Sequence, residues 1–441
     1  MTNIVEYFLK KKGVDIGDYV EVYLMDGVKY KGIIMPKHEF SKPEILVLKL
    51  DNGYNIGIDI NRVLDIRKAE APEISPGVSV EEKIEKPEDL PRVLVMGVGG
   101  TILSKVDYTT GAVRSAVSTE ELLSILPEVN QIAEIDTKII MNKYSEHLTP
   151  LDWSKISKEI YSAISSKKYD GVVVLHGTDT LGYTAAAVSF AVQQLPIPVV
   201  FVGSQRSSDR PSSDAALNLI SAIRVAGYAD IAEVVVAMHR DTSDEYIAVH
   251  QGTRVRKNHT SRRDAFQSID TTPYMLVDIN GEFKILRDDF RRRAEDRSPI
   301  LYPKFSRDVA LIKFYPGFNH NILLSLLHNG VKAVILEGTG LGHVGEYLFE
   351  TIGLLVDNGV HIYMTSQCIW GRVNMNVYDT GRFLRKLGVI PLENVISETA
   401  YVKASWVLGN FGVKELDVMM TTNIVGEASP RSPIKDMRRE S

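Results

Sequence analysis

Two hydroxyls and a carboxylate follow directly on an apolar run in the segment from Val172 to Thr180. The run Val172-Val173-Val174-Leu175 predicts a strand covered on both faces, and the Ala-rich stretch Gly182 to Gln193 predicts the helix after it. Thr178 and Asp179 therefore lie at the carboxyl end of a strand, where ligands bind in open α/β sheets and where a helix N-terminus favours negative charge. Two interpretations remain open: an active-site loop, or residues that only cap the helix.

A second threonine stands in a glycine turn. The run Arg92 to Met96 predicts another strand, which breaks into Gly97-Val98-Gly99-Gly100-Thr101. Glycine lets backbone N–H groups approach a ligand closely, so Thr101 would lie beside donors suited to an oxyanion. The glycine spacing does not fit a nucleotide-binding turn, because neither Gly-x-Gly-x-x-Gly nor Gly-Lys-Ser/Thr is present here. The polar segment Asp107 to Val113 is either a mobile lid or a surface loop.

Basic residues are grouped between Thr253 and Thr260, after the strand-like run from Glu233 to Met238. Lys257 is either a solvated surface lysine or a base. Crowding by Arg254 and Arg256 together with partial burial would favour the neutral amine, which can take a proton from a threonine hydroxyl.

Together these motifs resemble the five motifs of the bacterial-type L-asparaginases, in the same order and at similar separations over roughly residues 91 to 411. The matching segments are Gly99-Gly100-Thr101-Ile102, Tyr108-Thr109-Thr110-Gly111-Ala112-Val113, Ser145-Glu146 ahead of Trp153, His176-Gly177-Thr178-Asp179-Thr180, and Arg254-Val255-Arg256-Lys257. The resemblance implies amide hydrolysis by two threonines through an acyl-enzyme intermediate.

The roles implied by the resemblance are carried over position by position. Thr101 matches the nucleophile and Tyr108 the lid residue that helps to activate it. Thr178, Asp179 and Lys257 match a second catalytic set. Substrate binding is assigned to Ser145 and Glu146 and to the turn glycines Gly100 and Gly177. Val98 departs from the family, which usually has a small polar residue there.

The chain adds segments that plain asparaginases lack. Alternating runs between Gly17 and Lys68, broken by Asp-Gly and Asn-Gly turns, predict a small SH3/Sm-like β-barrel. We assign residues 1–70 to this domain and the Pro- and Glu-rich residues 71–90 to a linker. The segments Gly203 to Pro211 and Ser366 to Tyr378 resemble the D subunits of the archaeal glutamyl-tRNA(Gln) amidotransferases, as does a barrel ahead of an asparaginase core.

That second resemblance implies a glutaminase whose ammonia passes to a partner, the E subunit of the same amidotransferase. The partner would bind the mischarged tRNA and use ATP and Mg²⁺, so no cofactor is expected in this chain, and a homodimer is expected from the asparaginase family. The alternatives are a stand-alone cytoplasmic L-asparaginase or glutaminase, and a non-enzymatic module whose barrel binds a protein or RNA.

Alternating strands and helices predict an α/β core: a large parallel-sheet lobe at residues 91–290, a smaller C-terminal α/β lobe at 305–424 and a flexible tail at 425–441. The net charge of −5 favours tRNA contact mainly through a partner. Cys368 is the single cysteine, which fits a reducing compartment. Without a secretion signal or a spanning apolar run, we expect a cytoplasmic protein with no membrane contact. The histidines lack ligand spacing, so we expect no metal.

Overall fold

The structure is a computed structural model that describes residues 4–35, 42–50, 55–70, 90–99, 104–106, 113–115, 127–206 and 213–432. Of residues 104–106 and 113–115 it describes only the backbone, as the paired strands Ser104–Val106 and Val113–Ser115. Residues 118–125, where the sequence predicts a helix, lie outside the described residues.

The N-terminal unit is a five-stranded antiparallel sheet with one helix. In the first strand Val20, Val22 and Leu24 point inward and alternate with half-exposed residues, as expected for a sheet with one covered face. The small β-domain predicted from the alternating runs is therefore confirmed. Its elements are α1 (Ile4–Lys12), β1 (Tyr19–Leu24), β2 (Lys29–Met35), β3 (Ile45–Leu50), β4 (Asn55–Asp59) and β5 (Val63–Lys68).

The large lobe is built on an eight-stranded sheet. Four neighbouring pairs in it are parallel, and the remaining edge is antiparallel, which the sequence patterns did not predict. In spatial order the strands are Phe283–Ile285, Met275–Asp278, Tyr246–Gln251, Val234–His239, Val199–Val202, Gly171–Leu175, Arg92–Gly97 and Glu134–Ile139.

Helices cover both faces of this sheet because its central strands are apolar throughout. Val172 and Val174 pack into the same core as the helices α2 (Pro150–Ser165) and α3 (Leu181–Ala191). Val173 and Leu175 face the opposite core, which contains α4 (Ala215–Tyr228). All four side chains are fully buried, as a strand covered on both faces requires.

The smaller lobe has a parallel sheet of four strands: Val309–Lys313, Ala333–Gly338, His361–Ser366 and Ile390–Pro391. Its helices are α5 (His320–His328), α6 (Phe349–Asp357), α7 (Asp379–Lys386), α8 (Ser397–Asn410) and α9 (Leu416–Thr421). Helix α8 packs on the large lobe, where Trp406 stacks on Phe190 of α3 at 5.4 Å between ring centroids. The two-lobed α/β architecture predicted from the sequence is thus present.

Residues 425–432 are packed, which differs from the flexible tail expected at 425–441; residues 433–441 lie outside the described residues. Glu427 is fully buried and pairs with Lys403 of α8 at 2.5 Å. Arg372 donates hydrogen bonds to the carbonyls of Ser429 and Pro430 at 2.8 and 2.7 Å. This packing could not be predicted, because a single glutamate in a polar segment does not indicate a buried partner. Within the described ranges, no helix combines the length and the apolar character needed to cross a bilayer.

Candidate active site

Thr178 and Asp179 lie in the loop that joins the strand Gly171–Leu175 to helix α3. Thr178 is buried to 6% exposure, whereas the Asp179 side chain is 66% exposed. Because the strand is parallel to both neighbours, this loop is at the carboxyl edge of the sheet. The hydroxyl is therefore held by packing, and the carboxylate faces solvent.

Lys257 comes to this loop from a separate hairpin, formed by Val255–Lys257 and Phe266–Ser268. Its ammonium donates one hydrogen bond to Thr178 Oγ1 at 2.9 Å and another to Asp179 Oδ1 at 2.7 Å. The Lys257 side chain is only 14% exposed. A hydroxyl, a carboxylate and a shielded amine thus meet at one point, which is the arrangement used to activate a hydroxyl or to relay its proton.

The two arginines expected to crowd Lys257 have other partners. Arg254 is buried and donates to the backbone carbonyls of Ile269 and Asp270. Burial lowers its pKa to about 10. Arg256 pairs with Glu398 of the smaller lobe at 2.7 Å. The prediction that these arginines crowd the amine was therefore wrong. Arg254 lies just before the strand Val255–Lys257, and successive residues of a strand point to opposite faces, so Arg256 and Lys257 point apart.

The turn after the strand Arg92–Gly97 begins beside the Thr178 loop. Val98 N donates to Leu175 O at 3.0 Å, and Val98 is buried in the large-lobe core. Its apolar side chain, the departure noted above, therefore serves packing. Gly99 has φ +126, and a Cβ there would overlap the backbone of Lys143, so this position requires glycine. Gly100, Thr101 and Tyr108 lie outside the described residues.

Ser145 lies against the same loop and is buried. Thr180 Oγ1 donates to the Ser145 carbonyl at 2.7 Å. A Cβ on Gly177 would lie 2.8 Å from both Cβ and Oγ of Ser145, so glycine lets the two segments approach. Glu146 is the next residue and is exposed. Ser145, Gly177, Thr178, Asp179 and Lys257 are thus brought together, with Glu146 beside them.

His176 supports the loop that carries Thr178 through hydrogen bonds. Its position in the motif did not reveal this role. It is fully buried, with Nδ1 2.7 Å from the Gly177 carbonyl and Nε2 2.9 Å from Thr184 Oγ1. Because a carbonyl can only accept, Nδ1 carries the proton and Nε2 accepts from the hydroxyl. Burial lowers the pKa of His176 to about 4, so the ring is neutral at ordinary pH. Among the described residues, no group of His, Cys, Asp and Glu has the geometry of a metal site.

Three family models match the chain. The first, described as Asparaginase, N-terminal, covers residues 92–290, and the second, described as Glutaminase/Asparaginase C-terminal domain, covers 308–417. The third, described as GatD N-terminal domain, covers residues 14–68, the five-stranded unit.

Full-length relatives are similar over nearly the whole chain. The D subunit of the glutamyl-tRNA(Gln) amidotransferase of Pyrococcus furiosus is 49% identical over 430 residues, which is 97% of this chain and 98% of that protein. The protein of the same name from Methanopyrus kandleri is 48% identical over 428 residues, covering 95% of this chain and 93% of the relative.

Solved structures match the two lobes. The thermostable L-asparaginase from Thermococcus kodakarensis has a TM-score of 0.68 at 31% identity, covering 77% of this chain and 100% of that one. L-asparaginase I from Vibrio cholerae has a TM-score of 0.67 at 29% identity, with the same coverage. The asparaginase-like fold predicted from the sequence motifs is confirmed.

Proposed function

This chain belongs to the family of glutamyl-tRNA(Gln) amidotransferase D subunits, and we propose that it hydrolyses glutamine through a threonine nucleophile to supply ammonia to a partner protein. The chain is an amidohydrolase: it is the glutaminase subunit of a tRNA-dependent amidotransferase. The partner, the E subunit of that amidotransferase, would bind the mischarged tRNA and use ATP and Mg²⁺ to activate the glutamyl ester. Ammonia would then convert Glu-tRNA(Gln) to Gln-tRNA(Gln).

The proposed reaction has two halves. The Thr101 hydroxyl, helped by Tyr108, attacks the carboxamide carbon of glutamine, and its proton leaves with the amide nitrogen as ammonia. Water then attacks the resulting threonyl ester, which releases glutamate and restores the hydroxyl. Thr178, Asp179 and Lys257 form the proton-handling set, in which the neutral form of Lys257 takes a proton through Thr178.

Substrate recognition is assigned to charges at the edge of the same pocket. Glu146 and Asp179 would hold the α-ammonium of glutamine, and Ser145 with the backbone N–H groups of Gly100 and Gly177 would hold its α-carboxylate. The exposed carboxylate of Asp179 and the burial of Ser145 against Gly177 support this division. Recognition of both charges favours a free amino acid, because an unpaired charge in a closed site costs several kcal/mol.

The observation that carries the proposal is the ammonium of Lys257 bonded to both Thr178 and Asp179, at 2.9 and 2.7 Å. A lysine that served solubility alone would not be 14% exposed and aimed at a buried hydroxyl. We further propose that the chain acts as a homodimer, and that tRNA is contacted mainly through the partner, in keeping with the net charge of −5.

The test is ammonia release from glutamine by the full-length chain, alone and with the cognate partner loaded with Glu-tRNA(Gln). We expect slow hydrolysis alone and a marked increase with the loaded partner. A rate that is already maximal without the partner would contradict the coupled function. A Lys257→Met chain, purified in the same way, controls for contaminating amidases.

A second candidate is a self-sufficient asparaginase. It is favoured by the match to L-asparaginase structures that are covered over 100% of their length. A self-sufficient asparaginase, however, would give the five-stranded N-terminal unit no role. The same assay with asparagine distinguishes the two, because faster ammonia release from asparagine than from glutamine, independent of the partner, supports the second candidate.

A further inference from the structure

The first turn of helix α8 contacts the segment that carries Lys257. Arg256 Nε donates to Glu398 Oε1 at 2.7 Å, and Thr399 Oγ1 donates to the Thr253 carbonyl at 2.8 Å. Both threonines are 1% exposed, so the second bond is shielded from water. The backbone on the amino-terminal side of Lys257 is thus tied to the smaller lobe at two points.

Helix α8 also packs along α3, whose preceding loop carries Thr178 and Asp179. The rings of Tyr183 and Tyr401 meet edge to face at 6.5 Å between centroids. Burial, followed by the nearby Glu398 carboxylate, raises the pKa of Tyr183 to about 12. One helix of the smaller lobe therefore contacts both elements whose spacing sets the distance between Lys257 and Thr178.

The end of α8 that makes these contacts is itself fixed. Ser397 Oγ lies 2.9 Å from Thr365 Oγ1, at the carboxyl end of the strand His361–Ser366. Glu398 is in the first turn of the helix, where the helix dipole favours a negative charge. The first turn of α8 is therefore anchored within the smaller lobe, at an end where the negative charge of Glu398 is favoured.

We propose that Glu398 and Thr399 are positioning residues, which hold the strand Val255–Lys257 from the smaller lobe so that the Lys257 amine reaches Thr178 and Asp179. Neither residue is among those assigned to the substrate. This inference rests on the proposed function, because it gives Lys257 a part in the reaction. It predicts that loosening this clamp, the contacts of Glu398 and Thr399, lowers kcat far more than it raises KM for glutamine, since Asp179 is the one residue assigned to binding that bonds to Lys257 in the described structure.

The experiment measures glutamine hydrolysis by full-length Glu398→Ala and Thr399→Val chains, each with the partner protein and Glu-tRNA(Gln). We expect kcat to fall about ten-fold, because a misplacement of about 1 Å costs up to about a hundred-fold. Thr399→Ser keeps the hydroxyl and is expected to restore kcat. A purely structural role would lower thermal stability without this split between kcat and KM.

The matched control is Glu233→Ala. Glu233 pairs with Arg291 inside the large lobe at 2.6 Å, with 33% and 16% exposure for arginine and glutamate. The Arg256–Glu398 pair is similarly exposed, with 35% exposure for the Arg256 side chain and 18% for the Glu398 side chain. Glu233→Ala is expected to lose comparable stability and to keep its kcat. Equal kcat values in Glu398→Ala and Glu233→Ala would overturn the inference.

Two further results separate this inference from the proposed function. Absence of glutamine hydrolysis by the wild-type chain with its loaded partner overturns the function itself, whatever the clamp variants do. Loss of hydrolysis in Lys257→Met with unchanged kcat in Thr399→Val overturns only the clamp. If Glu398→Ala does not fold, the comparison of Thr399→Val with Thr399→Ser decides, because a kcat equal in the two contradicts the inference.

Discussion

Lys257 Nζ lies 2.9 Å from Thr178 Oγ1 although 79 residues of chain separate them. The threonine follows a strand of the central sheet, whereas the lysine ends a strand of an outer hairpin. Their contact is therefore a product of tertiary packing, and its chemistry can be tested by removing either side chain.

Lys257→Met is expected to lower kcat for glutamine hydrolysis by about 10²–10⁴-fold, the range for loss of a positioned acid or base. Methionine keeps the length and apolar stem of the side chain and removes the amine. Steady-state ammonia release measures the effect, and Thr178→Val is expected to match it. Lys168→Met is the control, since that lysine is 45% exposed and pairs with Asp136. Near-normal turnover by Lys257→Met would remove it from the mechanism.

Much of this site could be predicted because its motifs are local. The run Val172 to Leu175 is apolar at every position, which is the pattern of a doubly covered strand, and Thr178 and Asp179 follow it within four residues. The five-stranded unit could be predicted for the same reason, from its period-two alternation. The basic segment from Thr253 to Thr260 left Lys257 as either a surface lysine or a base, and only the family resemblance favoured the base.

The remaining features depend on contacts between distant segments. Glu398 is an ordinary acidic residue at a helix start, and its partner Arg256 was expected to crowd Lys257 instead. The antiparallel edge of the large sheet was missed because Tyr246–Gln251 and Met275–Asp278 have no pattern that distinguishes a parallel from an antiparallel neighbour. Whether two neighbouring strands run parallel or antiparallel depends on how the chain connects them, not on the residues of the strands themselves.

Gly177→Ala is expected to destabilise the protein by about 1–3 kcal/mol and to raise KM for glutamine. The added methyl group would lie 2.8 Å from Cβ and Oγ of Ser145, so one of the two segments must move. Chemical denaturation and steady-state kinetics measure the two effects. Gly353→Ala, in helix α6, meets its nearest atom at 3.5 Å and is expected to be neutral or stabilising. Unchanged kinetics in Gly177→Ala would contradict the close packing described here.

Glu427→Gln is expected to cost about 3–5 kcal/mol, because it leaves a buried ammonium without its counter-charge. The two side chains of the Lys403–Glu427 pair are 1% and 0% exposed, and burial lowers the pKa of Lys403. Glu427 also accepts hydrogen bonds from the backbone N–H groups of Ile424 and Val425, so the loss should loosen residues 423–432. Limited proteolysis reports on that segment.

The double variant Lys403→Met with Glu427→Gln is expected to be less destabilised than Glu427→Gln alone, since it removes the orphaned charge. Arg62→Gln breaks an exposed pair, with 63% and 45% exposure for Arg62 and Asp26, and should cost less than about 1 kcal/mol. Strict additivity of the two buried substitutions would show that the pair is not coupled.

Stability is expected to fall as the pH drops from about 6.5 to about 4, in part because of His176. Its pKa is lowered by burial to about 4, whereas an unfolded histidine titrates near 6.5. In this window the unfolded chain binds a proton that the folded chain excludes, so protonation favours unfolding. The difference corresponds to about 3 kcal/mol. His250, whose pKa burial lowers to about 3, acts in the same direction.

The measurement is the free energy of unfolding by denaturant at a series of pH values for the wild type and for His176→Gln, which keeps a donor for the Gly177 carbonyl. We expect a shallower dependence in the variant between pH 6.5 and 4, because glutamine does not titrate. His328→Gln, at an exposed position of helix α5, is the control for a histidine-to-glutamine substitution away from the Thr178 loop. A variant slope equal to that of the wild type would mean that the ring beneath the Thr178 loop is accessible to protons in the folded state.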